Sequence, residues 1–354
     1  MERTTADGLA LGIDIGGTKV EIALVDGHGA LLDSCRLRTL PERGASVVVA
    51  EIAAAARSAF GDALGGAVAA GVSVAGQIGA DGTVLGAPNL GWAGAPVGAE
   101  LSAALALPVV VANDVRAAAW AEWRHGAGRG CSDVVVLFLG TGIGGGAVVD
   151  GRMLDGAGGI AGEFGHMTLV AGGRRCHCRN VGCLEAYAGG WAIAERAREA
   201  VRADERGGAA LLRLAGGDPT AITGETVGAA RAAGDPLAVR IVEETGAYLG
   251  AGLVSLVNAF NPARIILGGG IVDGFAELVP LAAAVVRERA LAAAAGVELV
   301  PAVLGNHAPV VGAAALAVGR ARRTHELREV REVREVHEAG EVRGGPDARE
   351  MRAV

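Results

Sequence analysis

Apolar and polar residues alternate from the start of the chain. Residues 9–38 (LALGIDIGGTKVEIALVDGHGALLDSCRLR) read as strand, glycine turn, strand, turn, strand. The turns fall at Gly16-Gly17 and Asp26-Gly27, and the alternation is plain in Val20, Ile22 and Leu24. The pattern then predicts a helix over about 45–60, a strand near 67–74 and another over 108–112. Asn113 reads as the N-cap of a helix running to about Trp123, since its side chain can accept from the first free amides.

The same pattern restarts 124 positions later, without a gap, in VVVLFLGTGIGGGAVVDG. Gly16 falls on Gly140, Ala23 on Ala147, and Val25-Asp26-Gly27 on Val149-Asp150-Gly151. Each copy is strand, Gly-rich turn, strand, Asp-Gly turn, which predicts a duplicated unit. Two α/β halves with facing turns imply a cleft between lobes, where ligands bind. Beyond residue 185 the chain becomes Ala-rich and helical, over about 190–205, 225–233 and 236–258. A strand ending in Gly268-Gly269-Gly270 follows, then helices over about 275–294 and near 310–322. Three Arg-Glu-Val tripeptides from Arg328 to Val336 match neither a helical stripe nor a strand and predict a solvated tail.

We set the boundaries at 1–112 for a smaller N-terminal lobe and 113–304 for a larger one. A helix over 305–322 is expected to pack back on the first lobe, and 323–354 to be a charged, disordered tail.

Composition narrows the function classes. With 354 residues, 51% of them hydrophobic, the bulk of the chain can bury a core, and its length asks for two lobes. A net charge of −7 shows no basic face for nucleic acid. The polar start MERTTADG carries no apolar leader core, and no run of about 18 apolar residues occurs, so neither secretion nor a membrane span is expected and the cytoplasm is.

Three of the five cysteines lie within eight residues, which in that compartment reads as metal or redox chemistry. Cys35 and Cys131 are expected to be small core residues. Cys176, Cys178 and Cys183 with one imidazole suit a closed tetrahedral zinc site, redox thiols being the alternative. His166 is the better fourth ligand, because His177 stands between two ligating cysteines and would point away. Glu163 and Glu185 flank the cluster, and carboxylates anchored beside a His suit the hydroxyls of a polyol.

Asp14-Ile15-Gly16-Gly17-Thr18-Lys19 nearly spells a P-loop, but its order ends Gly-Thr-Lys and a strand follows. Gly142–Ala147 formally matches a dinucleotide fingerprint, again with a strand where a helix is needed. Two strand–turn–strand hairpins can instead bring backbone amides to phosphates. Thr18 and Lys19 add a hydroxyl and a charge, and Asp14 suits a hydrated Mg²⁺. Asp114 suits a general base at a strand end, with Asn113 orienting a hydroxyl. The helix terminus is expected to keep Asp114 ionised, which phosphoryl transfer tolerates.

Taken together, Asp14–Lys19, Asn113-Asp114, Leu139–Gly146, Glu163–His166, Cys176–Glu185 and Leu267–Gly270 resemble the ROK family of sugar kinases and repressors. The stretch Ala87–Trp92 is similar to its glucose-phosphorylating members. The resemblance spans about 9–322. It implies an α/β, actin-like ATPase (ribonuclease H-like) fold, two duplicated lobes closing on ATP and a hexose.

The resemblance also implies that Asp114 is the base acting on a sugar 6-hydroxyl, with Gly76, Asn113, Glu163, His166 and Glu185 around the sugar. It places Asp14, Gly16, Gly17, Thr18, Lys19, Gly140, Thr141, Gly142, Gly268 and Gly269 at the nucleotide. His166, Cys176, Cys178 and Cys183 would hold a structural Zn²⁺, and Mg²⁺ would accompany ATP.

Two positions depart from the family. Arg179 stands where a Gly is usual, which would cost about 1 kcal/mol at positive φ. Ala75 stands where Pro is common. A homo-dimer or homo-tetramer is a family expectation. The alternatives are a kinase for N-acetylmannosamine, N-acetylglucosamine or fructose, polyphosphate as donor, a sugar-sensing repressor, and a silent sugar binder. The repressor is disfavoured because the first strand leaves no room for a helix-turn-helix.

Overall fold

The structure, a computed structural model, describes residues 8–323. The Arg-Glu-Val tripeptides and the rest of the expected tail from 324 onward lie outside the described residues. The first half contains β1 (Leu9–Ile15), β2 (Lys19–Val25), β3 (Leu31–Arg38), α1 (Ala45–Phe60), β4 (Ala67–Val74), the short hairpin β5 (Gln77–Ile78) and β6 (Val84–Gly86), α2 (Val97–Leu105) and β7 (Val109–Asn113). After α3 (Asp114–Arg124) come β8 (Val134–Leu139), β9 (Ile143–Val149) and β10 (Arg152–Met153). The helices α4 (Glu185–Ala188), α5 (Gly190–Ala203), α6 (Ala209–Leu214), α7 (Gly224–Ala232) and α8 (Pro236–Phe260) follow. The last elements are β11 (Arg264–Gly268), α9 (Gly270–Gly274), α10 (Leu278–Arg289), β12 (Glu298–Pro301) and α11, over 308–323.

The five-stranded sheets have one topology. The first runs β3-β2-β1-β4-β7 and the second β10-β9-β8-β11-β12. In each, three antiparallel strands precede two parallel ones, and β9 lies 124 positions after β2. The repeat in sequence is therefore a repeat in structure.

Burial along the central strands is nearly continuous instead of alternating, because each sheet is covered on both faces. In the first sheet Leu11, Ile13 and Ile22 pack with Val48 and Ile52 of α1, while Ala10, Ala23 and Val25 pack with Val310 and Ala314 of α11. In the second, Leu137 and Leu267 pack with Leu249 and Leu253 of α8, and Val134, Val136 and Ile266 with Ala119 and Trp120 of α3.

Thus α3 and α11 lie between the sheets, and their approach is close. A Cβ on Gly12 or Gly71 would overlap the carbonyl oxygen of Val310 or Ala313, and one on Gly312 that of Ala117. The helix expected over 275–294 is the shorter α10, Leu278–Arg289, and the separate short α9 lies before it. The hairpin β5–β6, α2, α6 and β12 were not read from the sequence. Cys35 and Cys131 are only half-buried, at the edges of the apolar clusters, since β3 is an exposed edge strand and Cys131 opens a turn. No described helix is long and apolar enough to cross a membrane.

Candidate active site

The chemistry gathers at the carboxyl ends of the parallel strands, where open α/β sheets bind ligands. Asp14 near the end of β1 and Ser73 on β4 are register partners, and the Ser73 hydroxyl donates to Asp14 Oδ1 at 2.6 Å. Burial pushes the Asp14 carboxyl up to about 6; the Asp114 and Glu21 charges raise it further, and Ser73 and Lys19 oppose.

Asp114 begins α3 one strand further along. Its proton affinity is also raised, by burial above all, against hydrogen bonds from its own amide, the Val115 amide and Asn113. Loss of water thus outweighs the opposing pull of the helix amides. Asn113 caps the helix, accepting from the Val115 and Arg116 amides at 3.0 and 3.1 Å. Its Nδ2 donates to Gly76 O at 3.2 Å, which leaves one N–H of the amide for a ligand. A Cβ on Gly76 would overlap Gly86 O, so only glycine lets this loop pass the β5–β6 hairpin.

At the first turn, the Gly16 amide donates to Lys19 O at 3.0 Å, and the Thr39 hydroxyl braces it by donating to Gly16 O at 2.7 Å. Gly17, Thr18 and Lys19 are exposed. At the second turn, Gly140 and Thr141 form one edge of a cavity of about 580 Å³. Trp191, Arg198, Thr223 and Phe275 line its other sides, and Gly270, Ile271 and Gly274 its floor. The size suits a nucleotide.

Sequence reading missed this wall. Its residues come from α5, α7 and α9, and only the Gly268–Gly270 run signalled it. Neither Gly268 nor Gly269 lines the cavity. Gly268 packs against Phe138 and Ala302, and Gly269, at φ 93°, turns the chain so that Gly270 does.

The cysteine loop lies beside the same turn. His166, Cys176, Cys178 and Cys183 place one donor atom each within 4.8 Å of one another. Cys178 Sγ and Cys183 Sγ are 3.6 Å apart, and Cys176 Sγ lies 3.7 Å from His166 Nδ1. A tetrahedral zinc with three thiolates and one imidazole needs edges of about 3.5–3.8 Å, so the donor set fits that ion. Without a cation, burial pushes the Cys176 thiol up to about 12 and also raises Cys183, while the Asn180 amide draws Cys178 down. Nδ1 of His166 faces the thiols, which leaves Nε2 for another partner. Arg179 keeps a negative φ and the positive one falls on Gly182, so the feared strain is absent.

Glu185, largely buried, accepts from the Ile143 amide at 2.9 Å and from the Trp191 indole at 3.1 Å. Glu163 is exposed, just before the 3₁₀ turn Phe164–His166. A residue that sequence reading missed holds the approach to it: the Arg116 guanidinium bonds Gly159 O and the Asp155 carboxylate. This anchors the glycine-rich loop leading to Glu163.

The folded frame, the paired turns and the partly buried carboxylates define a two-lobed, actin-like phosphotransferase. The ROK family profile matches residues 10–320, and the chain belongs to that family. It is 37% identical over 318 residues to a glucokinase of Streptomyces coelicolor, covering 88% of this chain and 98% of that one. It is similar to a ROK family glucokinase from Streptomyces griseus solved with glucose and AMPPNP, at 37% identity and a TM-score of 0.72, over 88% of this chain and 100% of the other. A ROK hexokinase from Thermus thermophilus superposes with a TM-score of 0.76 at 33% identity, over 89% and 99% of the two chains.

Proposed function

We propose that the protein phosphorylates glucose at its 6-hydroxyl with ATP. The observation that carries this is the Asp114 carboxylate of raised basicity at the head of α3, near enough to Asp14 of the first turn to raise its proton affinity, with its neighbour Val115 against Gly144 just after the second turn. In this reading residues 1–112 and 113–304 are lobes that close over both substrates and exclude water. ATP lies in the cavity of the second turn, with amides of Thr141 and Gly142 and of Gly17 toward its phosphates, while the Gly16 and Gly140 amides close their own turns. Thr18 and Lys19 reach the terminal phosphate from the exposed rim.

The 6-hydroxyl oxygen attacks the γ-phosphorus as the bond to the β-bridging oxygen breaks, and its proton passes to Asp114. Asn113, Glu163, His166 Nε2, Glu185 and the Gly76 backbone hold the remaining hydroxyls. Mg²⁺, held through Asp14 and the phosphates, would offset the charge that develops on the phosphoryl oxygens. Zinc on His166, Cys176, Cys178 and Cys183 would fix the sugar loop without entering the reaction. The enzyme would work in the cytoplasm as a homo-dimer or homo-tetramer, which light scattering distinguishes from a monomer.

A coupled ADP-release assay tests this against glucose, fructose, mannose, N-acetylglucosamine and N-acetylmannosamine. Glucose is expected to turn over fastest. Asp114→Asn is expected to lower kcat by about 10³ while the protein stays folded. Preference for an N-acetyl sugar would replace the substrate and keep the mechanism. Full activity in Asp114→Asn would remove the base.

A further inference from the structure

Resting on the kinase reading, we propose that Trp191 is a positioning residue through which the metal-holding loop shapes the nucleotide cavity, with His177 as its brace. His177 lies between two thiol ligands but outside the donor set. Its ring stacks on the Trp191 indole, with centroids 4.0 Å apart and planes 22° from parallel. Trp191 is also tied on two other sides. Its amide donates to Thr141 O at 3.0 Å in the second phosphate turn, and its indole N–H donates to Glu185 Oε1 at 3.1 Å. The same side chain lines the 580 Å³ cavity.

Trp191 is therefore where the cysteine loop, the Glu185 carboxylate and the nucleotide wall meet. The base of the loop is pinned by the Leu169 amide to Gly182 O and the Gly182 amide to Arg174 O, both at 2.7 Å, and the tip that carries His177 by the Cys176 amide to Asn180 O at 3.2 Å. A cation bound to His166 and the three cysteines would tie these segments together, and its removal takes those bonds away. Loosening the loop carries His177 away from the indole and frees one face of the cavity wall. Metal binding and nucleotide binding are then linked, and the linkage runs in both directions.

The test is calorimetric titration of Mg·AMPPNP, without sugar, into zinc-loaded and chelated protein, with zinc content measured on each sample. An aromatic pair contributes enough that its loss should weaken nucleotide binding about three- to tenfold. We expect chelation to produce that loss in the native sequence. Zinc-loaded His177→Ala should show a similar loss, and its chelation should add little more. His177→Phe, which keeps a ring on the indole, should bind AMPPNP as the native sequence does.

Native affinity in folded, zinc-loaded His177→Ala would overturn the proposal. So would equal sensitivity to chelation with and without His177. In both cases AMPPNP still binds and the kinase reading stands. Failure of AMPPNP to bind any form would overturn the kinase reading, and this proposal with it.

Discussion

The two glycine turns occupy equivalent places in sheets of the same strand order, yet they are equipped differently. The β1–β2 turn carries its own charges, Asp14 before it and Lys19 after it, and is braced by a neutral hydroxyl from Thr39. The β8–β9 turn carries no charge of its own. Its carboxylate arrives from Glu185, 42 residues further on in the chain than Ile143, whose amide it accepts. A Cβ on Gly142 would meet that carboxylate at 2.5 Å, so the glycine leaves room for the incoming side chain. Duplication preserved the backbone, and what later packed against each copy assigned its chemistry.

The largest effect should come from the charged turn. Asp14→Asn keeps an acceptor for Ser73 but removes the charge at the phosphates, and kcat is expected to fall at least about a hundredfold in the ADP-release assay. The same variant should be the more stable one at neutral pH. The folded-state value of about 6 exceeds the ordinary 3.8, so between these the native state holds a proton that the unfolded state has lost. Stability therefore falls as pH rises through that window, by about 3 kcal/mol at most, and Asn removes the loss. Denaturant melts at about pH 4 and 7.5 should show the variant and the native protein converging at the acid end.

At the uncharged turn, Glu185→Gln leaves either the Ile143 amide or the Trp191 indole without its acceptor. An increase of about tenfold in KM for glucose is expected, with a smaller change in kcat. Thr39→Val removes only the neutral brace of the first turn. It should cost about 1 kcal/mol in urea unfolding and change KM for ATP about twofold.

The smallest effect separates the two Asp-Gly turns. Asp26 accepts from the His28 and Ala30 amides at 2.9 Å each, whereas Asp150 stands at φ 50° beside Gly151 at φ 69°. Asp26→Gly should destabilise by about 1 kcal/mol, and Asp150→Gly by less than about 0.5. Equal losses would mean that the identical dipeptides do the same work.

Much of this was legible in the residues themselves. The second hairpin was readable because Gly140 and Val149–Gly151 repeat Gly16 and Val25–Gly27 at one offset. The cap at Asn113 was readable because capping is local, and the structure bears out its hydrogen bonds. The cysteine cluster was readable because its ligands crowd into a short segment, and the donor atoms of His166 and the three cysteines do converge. The cavity wall was not readable, because Arg198, Thr223 and Phe275 stand on separate helices with no common spacing. Arg116 was missed for the same reason, since its partners lie some 40 residues away.

The doubled strand–turn–strand units, the helix cap, the clustered Cys and His donors and the family could all be read from the residues alone, since each depends on neighbours a few residues apart or on a repeat. Only the tertiary structure decided how strongly Asp14 and Asp114 hold a proton, because that depends on how much water the packed lobes exclude. It also decided that Glu185 accepts from the Ile143 amide in the second hairpin and that His177 stacks on Trp191, outside the group of His166 and the three cysteines. Those contacts join segments of the second half that meet only when the cysteine loop and α5 pack beside the β8–β9 turn.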